Sequence, residues 1–105
     1  MKYIMKVSMP NDGSNEAITD PQFGHKMNEL LTEIKAEATY FTTICGQRGA
    51  YIIVNINDAS EIPAIAEPFF LWLNAEITFS PVMRPEDLAK AGPAIGAAAK
   101  KWAKS

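Results

Sequence analysis

Two residues could supply acid–base or nucleophilic chemistry: His25 is the only histidine of the sequence and Cys45 the only cysteine. His25 lies within an amphipathic helical pattern and points away from its apolar residues, so we expect it to face solvent. It remains a weak catalytic candidate if the helix begins later and FGH forms a loop over a pocket mouth. Cys45 would need His25 as its base, and nothing in their spacing brings them together, so we interpret Cys45 as structural.

No other catalytic or cofactor signature is present in the sequence. One histidine and one cysteine cannot form a zinc-type cluster. There is neither a glycine-rich phosphate loop nor a dinucleotide-binding fingerprint. The carboxylates are scattered over predicted caps and helix exteriors. The sequence therefore predicts no metal site and no cofactor.

Lys6 is the first candidate for binding a small molecule. It has the polar parity of the first predicted strand, where it could lie beside Glu76 or Thr78 of the fourth. One interpretation is that these polar pairs fix the register of a dimer. The other is a polar-lined cavity in which the ammonium group holds an anionic ligand.

Three further residues are candidates for the same role: Tyr40, Asn55 and Trp72. Asn55 interrupts an apolar strand, and a buried amide must find a partner in the protein, in water or in a ligand. Tyr40 is amphipathic and fits a pocket wall as well as the core, and Trp72 fits a pocket wall. Trp72 also fits a dimer contact.

Hydrophobic periodicity predicts the elements that position these residues. Four strands are predicted, over residues 2–9, 38–45, 51–56 and 76–83. Two helices are predicted, from Thr19 or Asp20 to Ile34 and from about Ser60 to Leu73. We expect Pro68 to cause a kink or an irregular turn in the second helix, and Pro81 to place the fourth strand at a sheet edge or to mark a bulge.

Turn residues separate these elements. Residues 10–13 (PNDG) predict a turn after the first strand, and residues 46–49 (GQRG) predict a hairpin loop. Arg48 is then a solvated loop residue, and the only one in that loop able to recruit an anion. A short helix should begin at Pro85 and end before Gly92.

The order β-α-β-β-α-β predicts an α+β, ferredoxin-like domain over residues 1–91, with a four-stranded antiparallel sheet and two helices on one face. Residues 92–105 form an extension, which we expect to be helical. The central strand places apolar side chains on both faces of the sheet. We therefore expect a homodimer in which the two uncovered sheet faces meet.

Composition narrows the range of partners. Ten Lys and Arg stand against 12 Asp and Glu, a net charge of −2, so the sequence argues against nucleic acid. No apolar run approaches the roughly 20 residues of a membrane span. With one cysteine and no signal-peptide pattern, we expect a cytoplasmic protein.

Three segments carry a resemblance to known proteins: AEATYFTT, EIPAIAEPFFLWLNAEI and PVMRPEDL. With the predicted layout, they resemble the dimeric α/β-barrel superfamily, which includes muconolactone-isomerase-like, YCII-like and antibiotic-biosynthesis monooxygenase-like proteins. The resemblance is greater to a group of small bacterial proteins of that class, and it covers most of residues 1–90. It implies a fold, while the activity within such a superfamily varies.

Three functions are consistent with the sequence. The first is a small-molecule-binding homodimer that acts as a carrier, a sensor or an accessory protein. The second is a cofactor-independent isomerase or monooxygenase acting on a small aromatic or lactone-like compound. The third is a pure dimerisation module. The sequence leaves open whether the protein is an enzyme.

Overall fold

The computed structural model describes residues 1–104, which form one four-stranded antiparallel sheet and five α-helices. The strands are β1 (Lys2–Met9), β2 (Ala38–Ile44), β3 (Gln47–Asn55) and β4 (Glu76–Pro81). The helices are α1 (Asn11–Thr19), α2 (Phe23–Glu33), α3 (Ile62–Leu73), α4 (Pro85–Lys90) and α5 (Gly92–Trp102). A 3₁₀ turn, Ala59–Glu61, precedes α3. The predicted α+β class and the four strands are confirmed.

The strands lie in the order β2-β3-β1-β4, so β3 is central and β4 is an edge strand, as Pro81 predicts. Met5 of β1 lies opposite Ile52 of β3 and Phe79 of β4, which fixes the register across three strands. This order is compatible with a ferredoxin-like arrangement.

One face of the sheet is covered by α2 and α3, and we call it the covered face. Its side chains come from alternate positions of each strand, such as Met5, Val7, Ile52 and Val54, which are fully buried. They pack with apolar side chains of the two helices: Met27, Leu30, Ile34, Ile65, Phe69 and Leu73. The opposite face, which we call the open face, has no helix on it within residues 1–104.

The predicted turn at residues 10–13 is wrong, because α1 begins at Asn11. Pro10 presets a helix-compatible start, and its carbonyl accepts a hydrogen bond from the Ser14 N–H at 2.9 Å. The real turn follows α1: the Asp20 carboxylate accepts a hydrogen bond from the Gln22 N–H at 2.9 Å. The predicted helix from Thr19 or Asp20 therefore begins later, at Phe23.

The predicted four-residue loop at 46–49 is also wrong. Cys45 and Gly46 alone form the turn, with φ of 51° and 77°, the two positive values that a tight type I′ hairpin requires. β3 consequently begins at Gln47, and Arg48 lies within the strand. A Cβ atom on Gly49 would lie 2.5 Å from Cδ1 of Ile44, so the Ile44 side chain crosses this position.

Helix α3 runs unbroken from Ile62 to Leu73 with Pro68 inside it. It ends at Asn74, whose φ of 51° is left-handed, a common way to terminate a helix. The predicted short helix and the helical extension are present as α4 and α5. In residues 1–104, no helix has both the length and the apolar character needed to cross a bilayer.

Two leucines of α3 give a matched test of this core. Leu73 is completely buried, whereas Leu71 is 83% exposed. We expect Leu73→Ala to lower the free energy of unfolding by about 2–5 kcal/mol, through lost burial and a cavity. Leu71→Ala should change it by less than about 0.5 kcal/mol. Urea unfolding of the two variants measures both values, and equal effects would show that α3 packs through another face.

A capping box before α3 predicts a pH dependence. The Asp58 carboxylate accepts a hydrogen bond from the Ser60 N–H, and that bond lowers the pKa of Asp58 below 3.8. The backbone N–H groups of Asp58 and Asn57 likewise lower the pKa of Glu61 below 4.5. Folding lowers both pKa values, so their stabilisation is complete above the unfolded pKa values and is lost as the pH falls through the folded ones.

Wild type should therefore lose stability below about pH 4.5, and Asp58→Asn with Glu61→Gln should reduce that loss. Thermal unfolding between pH 2.5 and pH 7 measures it. An unchanged pH profile in the double variant would show that the capping box does not contribute.

Candidate functional site

A groove opens between α1, α2 and the β2–β3 hairpin, with a volume of about 430 Å³. Its walls are mainly apolar side chains: Met9, Ile18, Phe23, Met27, Phe41 and Leu73. Four polar side chains also line it: Ser14, Asn28, Thr42 and Arg48. The volume lies in the range typical of small-molecule sites, and the mixture of apolar wall with few polar groups is typical of them as well.

Arg48 is the charged residue of this groove. It lies on the covered face of β3, opposite Met9 of β1 and Thr43 of β2, and is partly buried. Its Nη1 donates to Oγ of Ser14 at 3.0 Å and to Oδ1 of Asn15 at 2.9 Å. Ser14 is the only buried polar residue among residues 1–104. These neutral partners hold the guanidinium in place without neutralising it.

No carboxylate pairs with Arg48 in the described part of the chain. The ion pairs found there are those of Lys2 with Glu37 and of Arg84 with Asp87. The guanidinium nitrogens other than Nη1 have no hydrogen-bond partner in residues 1–104. A guanidinium is a planar donor that fits a carboxylate or phosphate with two parallel hydrogen bonds. The groove therefore combines an apolar wall with a cation that lacks an anion.

Asn11 joins α1 to the hairpin through three hydrogen bonds. Its Oδ1 accepts a hydrogen bond from the Arg48 N–H at 3.1 Å, and its Nδ2 donates to the carbonyl of Gly46 at 3.1 Å. Its own N–H donates to Oε1 of Gln47 at 2.7 Å. These three bonds fix the start of α1 against the first residues of β3, which brings Ser14 beside Arg48.

The structure places His25 on the exposed side of α2, as expected from a helix that includes it. Its neighbours Phe23 and Gly24 line the groove, whereas His25 does not. Cys45 is exposed at the hairpin turn, and no groups of three or more metal-ligating side chains occur in residues 1–104. His25 and Cys45 thus lie in different elements, α2 and the hairpin turn.

Lys6 and Tyr40 lie on the open face, in one row that crosses all four strands. The row is Tyr40, Tyr51, Lys6 and Thr78. Lys6 is thus a direct neighbour of Thr78, one of the two predicted partners, and Tyr40 is 68% exposed at the β2 edge. Both residues lie outside the groove.

Asn55 and Trp72 occupy two further places. Asn55 is the last residue of β3 and is exposed, because the strand ends before the core closes over it. Trp72 is half-buried on α3, with its ring centroid 5.2 Å from that of Phe23 and 5.5 Å from Nζ of Lys26. The four predicted ligand-binding residues therefore do not form one site.

The sequence predicted Arg48 only as a solvated loop residue and did not indicate Ser14, for a local reason. If residues 46–49 formed a loop, residue 48 would belong to no face of the sheet. The Cys45-Gly46 turn instead places residue 48 in β3, on the same face as residues 50, 52 and 54. The signal in the sequence is the Cys45-Gly46 pair between two apolar runs, because a residue followed by glycine is typical of a two-residue hairpin turn.

Comparison with protein-family models and with curated proteins finds no match for this chain. The resemblance to the dimeric α/β-barrel superfamily stays a prediction.

Proposed function

We propose that the protein binds a small organic anion with an apolar body in the groove beside Arg48, and that it does so as a homodimer. The observation that carries the proposal is the partly buried Arg48 guanidinium, which has only neutral side-chain partners and adjoins an apolar cavity. A partly desolvated cation is stabilised by an anion that it can pair with, and a ligand carboxylate provides one.

The two parts of such a ligand match two parts of the groove. The carboxylate would accept hydrogen bonds from the guanidinium donors that Ser14 and Asn15 leave unused. The apolar body would lie among Phe23, Met27 and Phe41. Ser14 and Asn15 keep the guanidinium oriented, so little of its rotamer freedom remains to be lost on binding.

This chemistry supports a carrier, sensor or accessory protein more than an enzyme. The polar groove residues, such as Arg48, Ser14 and Asn28, bind and orient a ligand. His25, the residue best suited to move protons at neutral pH, lies outside the groove lining. The isomerase or monooxygenase hypothesis therefore has no specific observation in its favour.

The homodimer is proposed from the open face. Its centre consists of half-buried apolar side chains, Ile4, Tyr51 and Ile53, from the two central strands. Along its β4 side it carries Glu76, opposite Ser8 and one row from Lys6. A two-fold axis through such a face would cover the apolar centre and bring Lys6 of each copy near Glu76 of the other. This arrangement is the one that the dimeric α/β-barrel resemblance implies.

Binding of paired probes tests the role of Arg48. We expect octanoate and phenylacetate to bind more tightly than the neutral octan-1-ol and phenylacetamide. Arg48→Met should weaken the two carboxylates by about 10- to 100-fold, because a charge-assisted pair is lost, and leave the neutral probes within about twofold. Isothermal titration calorimetry measures the dissociation constants. Arg84→Met is the matched control and should change the dissociation constants of neither the carboxylates nor the neutral probes.

Gly24→Leu tests the groove itself. A Cβ atom at Gly24 meets nothing within 4 Å, and Gly24 lines the groove on α2, so leucine should fill it without a clash. The variant should block carboxylate and neutral probes alike, and replacing a helical glycine should not reduce stability. Undiminished binding in Gly24→Leu, or equal binding of octanoate to Arg48→Met, would contradict the proposal.

The dimer is tested by introducing a charge at the centre of the open face. Ile53→Lys should raise the dimer dissociation constant at least about 100-fold, because it places two desolvated ammonium groups in the interface. Leu71→Lys introduces the same charge on an exposed leucine of α3 and should leave the dimer dissociation constant unchanged. Sedimentation velocity measures the dimer population, with circular dichroism to confirm folding. A wild-type monomer at 100 µM, taken as roughly the highest working concentration, would contradict the dimer.

A further inference from the structure

The last two helices project from the rest of the protein. We call residues 85–102, which comprise α4 and α5, the C-terminal arm. The chain has a radius of gyration of 17.8 Å and a longest dimension of 59 Å. A compact domain of this length has a radius of gyration of about 13 Å. Of the residues in α5, every one is exposed.

The arm nevertheless carries an apolar stripe. Apolar residues recur along it at alternating spacings of three and four: Leu88, Ala91, Ile95, Ala98 and Trp102. Ala91 joins α4 to α5 in a right-handed helical conformation, and its carbonyl accepts a hydrogen bond from the Ile95 N–H at 3.0 Å, so the spacing continues across the junction. Leu88, Ile95 and Trp102 are 51%, 54% and 74% exposed.

An exposed apolar stripe on a helix is stabilised when it packs against another surface. Helices shorter than about 12–15 residues are marginal in water on their own, and most of their stability in proteins comes from packing an apolar face. The lysines of the arm lie off the stripe, and Lys90 and Lys100 would stay in solvent while it is buried. Nζ of Lys101 lies 5.2 Å from the ring centroid of Trp102, at the end of the stripe.

We propose that the stripe of the C-terminal arm packs on a second copy of this chain, at the rim of the interface formed by the open faces. This proposal rests on the homodimer of the proposed function, and it does not depend on ligand binding in the groove. Charge favours this occupant. Residues 1–84 carry six Lys and Arg against ten Asp and Glu, whereas the arm, residues 85–102, carries three against two. The arm is therefore cationic and the body of a second copy anionic.

The size of the open face favours it too. Four strands at a spacing of about 4.8 Å, with six to nine residues at about 3.3 Å each, make a face of about 400–500 Å². A stable interface buries about 800 Å² per partner. An arm packed from each copy would add buried area to a sheet contact of this size.

The point from which the arm leaves the sheet is also suitable. It follows β4, the edge strand, after a connection of three residues, 82–84. An 18-residue arm at about 1.5 Å per residue extends about 27 Å, enough to pass the edge of its own sheet and reach a copy that faces it.

Trp102 fluorescence tests the proposal in the full-length protein. In a Trp72→Phe background, Trp102 is the only tryptophan. We expect its acrylamide quenching constant to fall several-fold, with a blue shift of its emission, as rising concentration produces dimers in parallel sedimentation runs. A dimer in which Trp102 stays fully quenchable would overturn the arm contact and leave the open-face homodimer intact.

Two other outcomes would also overturn it. Protection of Trp102 in a monomer, independent of concentration, would show that the arm folds back on its own chain. A monomer with exposed Trp102 at every concentration would remove the arm contact and the homodimer together, while ligand binding by Arg48 would still be measurable in that monomer.

A matched pair of charge substitutions separates the stripe from the rest of the arm. Ile95→Glu lies on the stripe, and Ala97→Glu lies on the opposite side of α5. The first should raise the dimer dissociation constant at least tenfold, and the second should leave it within twofold. Equal values for the two variants would overturn the proposal.

Discussion

The strict alternation of β3 is the constraint on which the site depends. A two-residue turn at Cys45 and Gly46 sets the register, and the register sends Arg48 to the same face as Ile52 and Val54. One residue more or less in the turn would send Arg48 to the open face and solvent. The protein instead holds an arginine on the covered face of its sheet, at the end where the helices leave a groove.

Helix α1 turns that placement into a site. Through Asn11 it is tied to the hairpin by three hydrogen bonds, and through Ser14 it supports the guanidinium. Both partners of Nη1 are neutral, so the charge of Arg48 is oriented without being cancelled. A preorganised cation beside an apolar wall is suited to a ligand that has an anionic head and an apolar body. In the proposed homodimer, the other face of the sheet and the stripe of the C-terminal arm would contact a second copy.

The periodicity of apolar residues was sufficient to predict the strands, α3, most of α2 and the open face. Each of these follows from a run of residues in which one side is apolar and buried. It was insufficient for α1, since Asn11 and Gly13 are typical turn residues and the helix owes its place to tertiary bonds with the hairpin. That error, with the misplaced loop at 46–49, concealed the groove. Lys6 beside Thr78 was predicted correctly as a juxtaposition, and it lies on the open face, outside the groove.

The central claim is that Arg48 meets the anion of a ligand. The chain has only two arginines, Arg48 and Arg84, so the side-chain Nε–H signals of a ¹⁵N-labelled sample can be assigned with one Arg84→Lys variant. Titration with phenylacetate should shift the Arg48 signal saturably and leave the Arg84 signal in place. If the Arg48 signal does not move while the protein binds phenylacetate, or if both signals drift together without saturation, the account of the groove is contradicted.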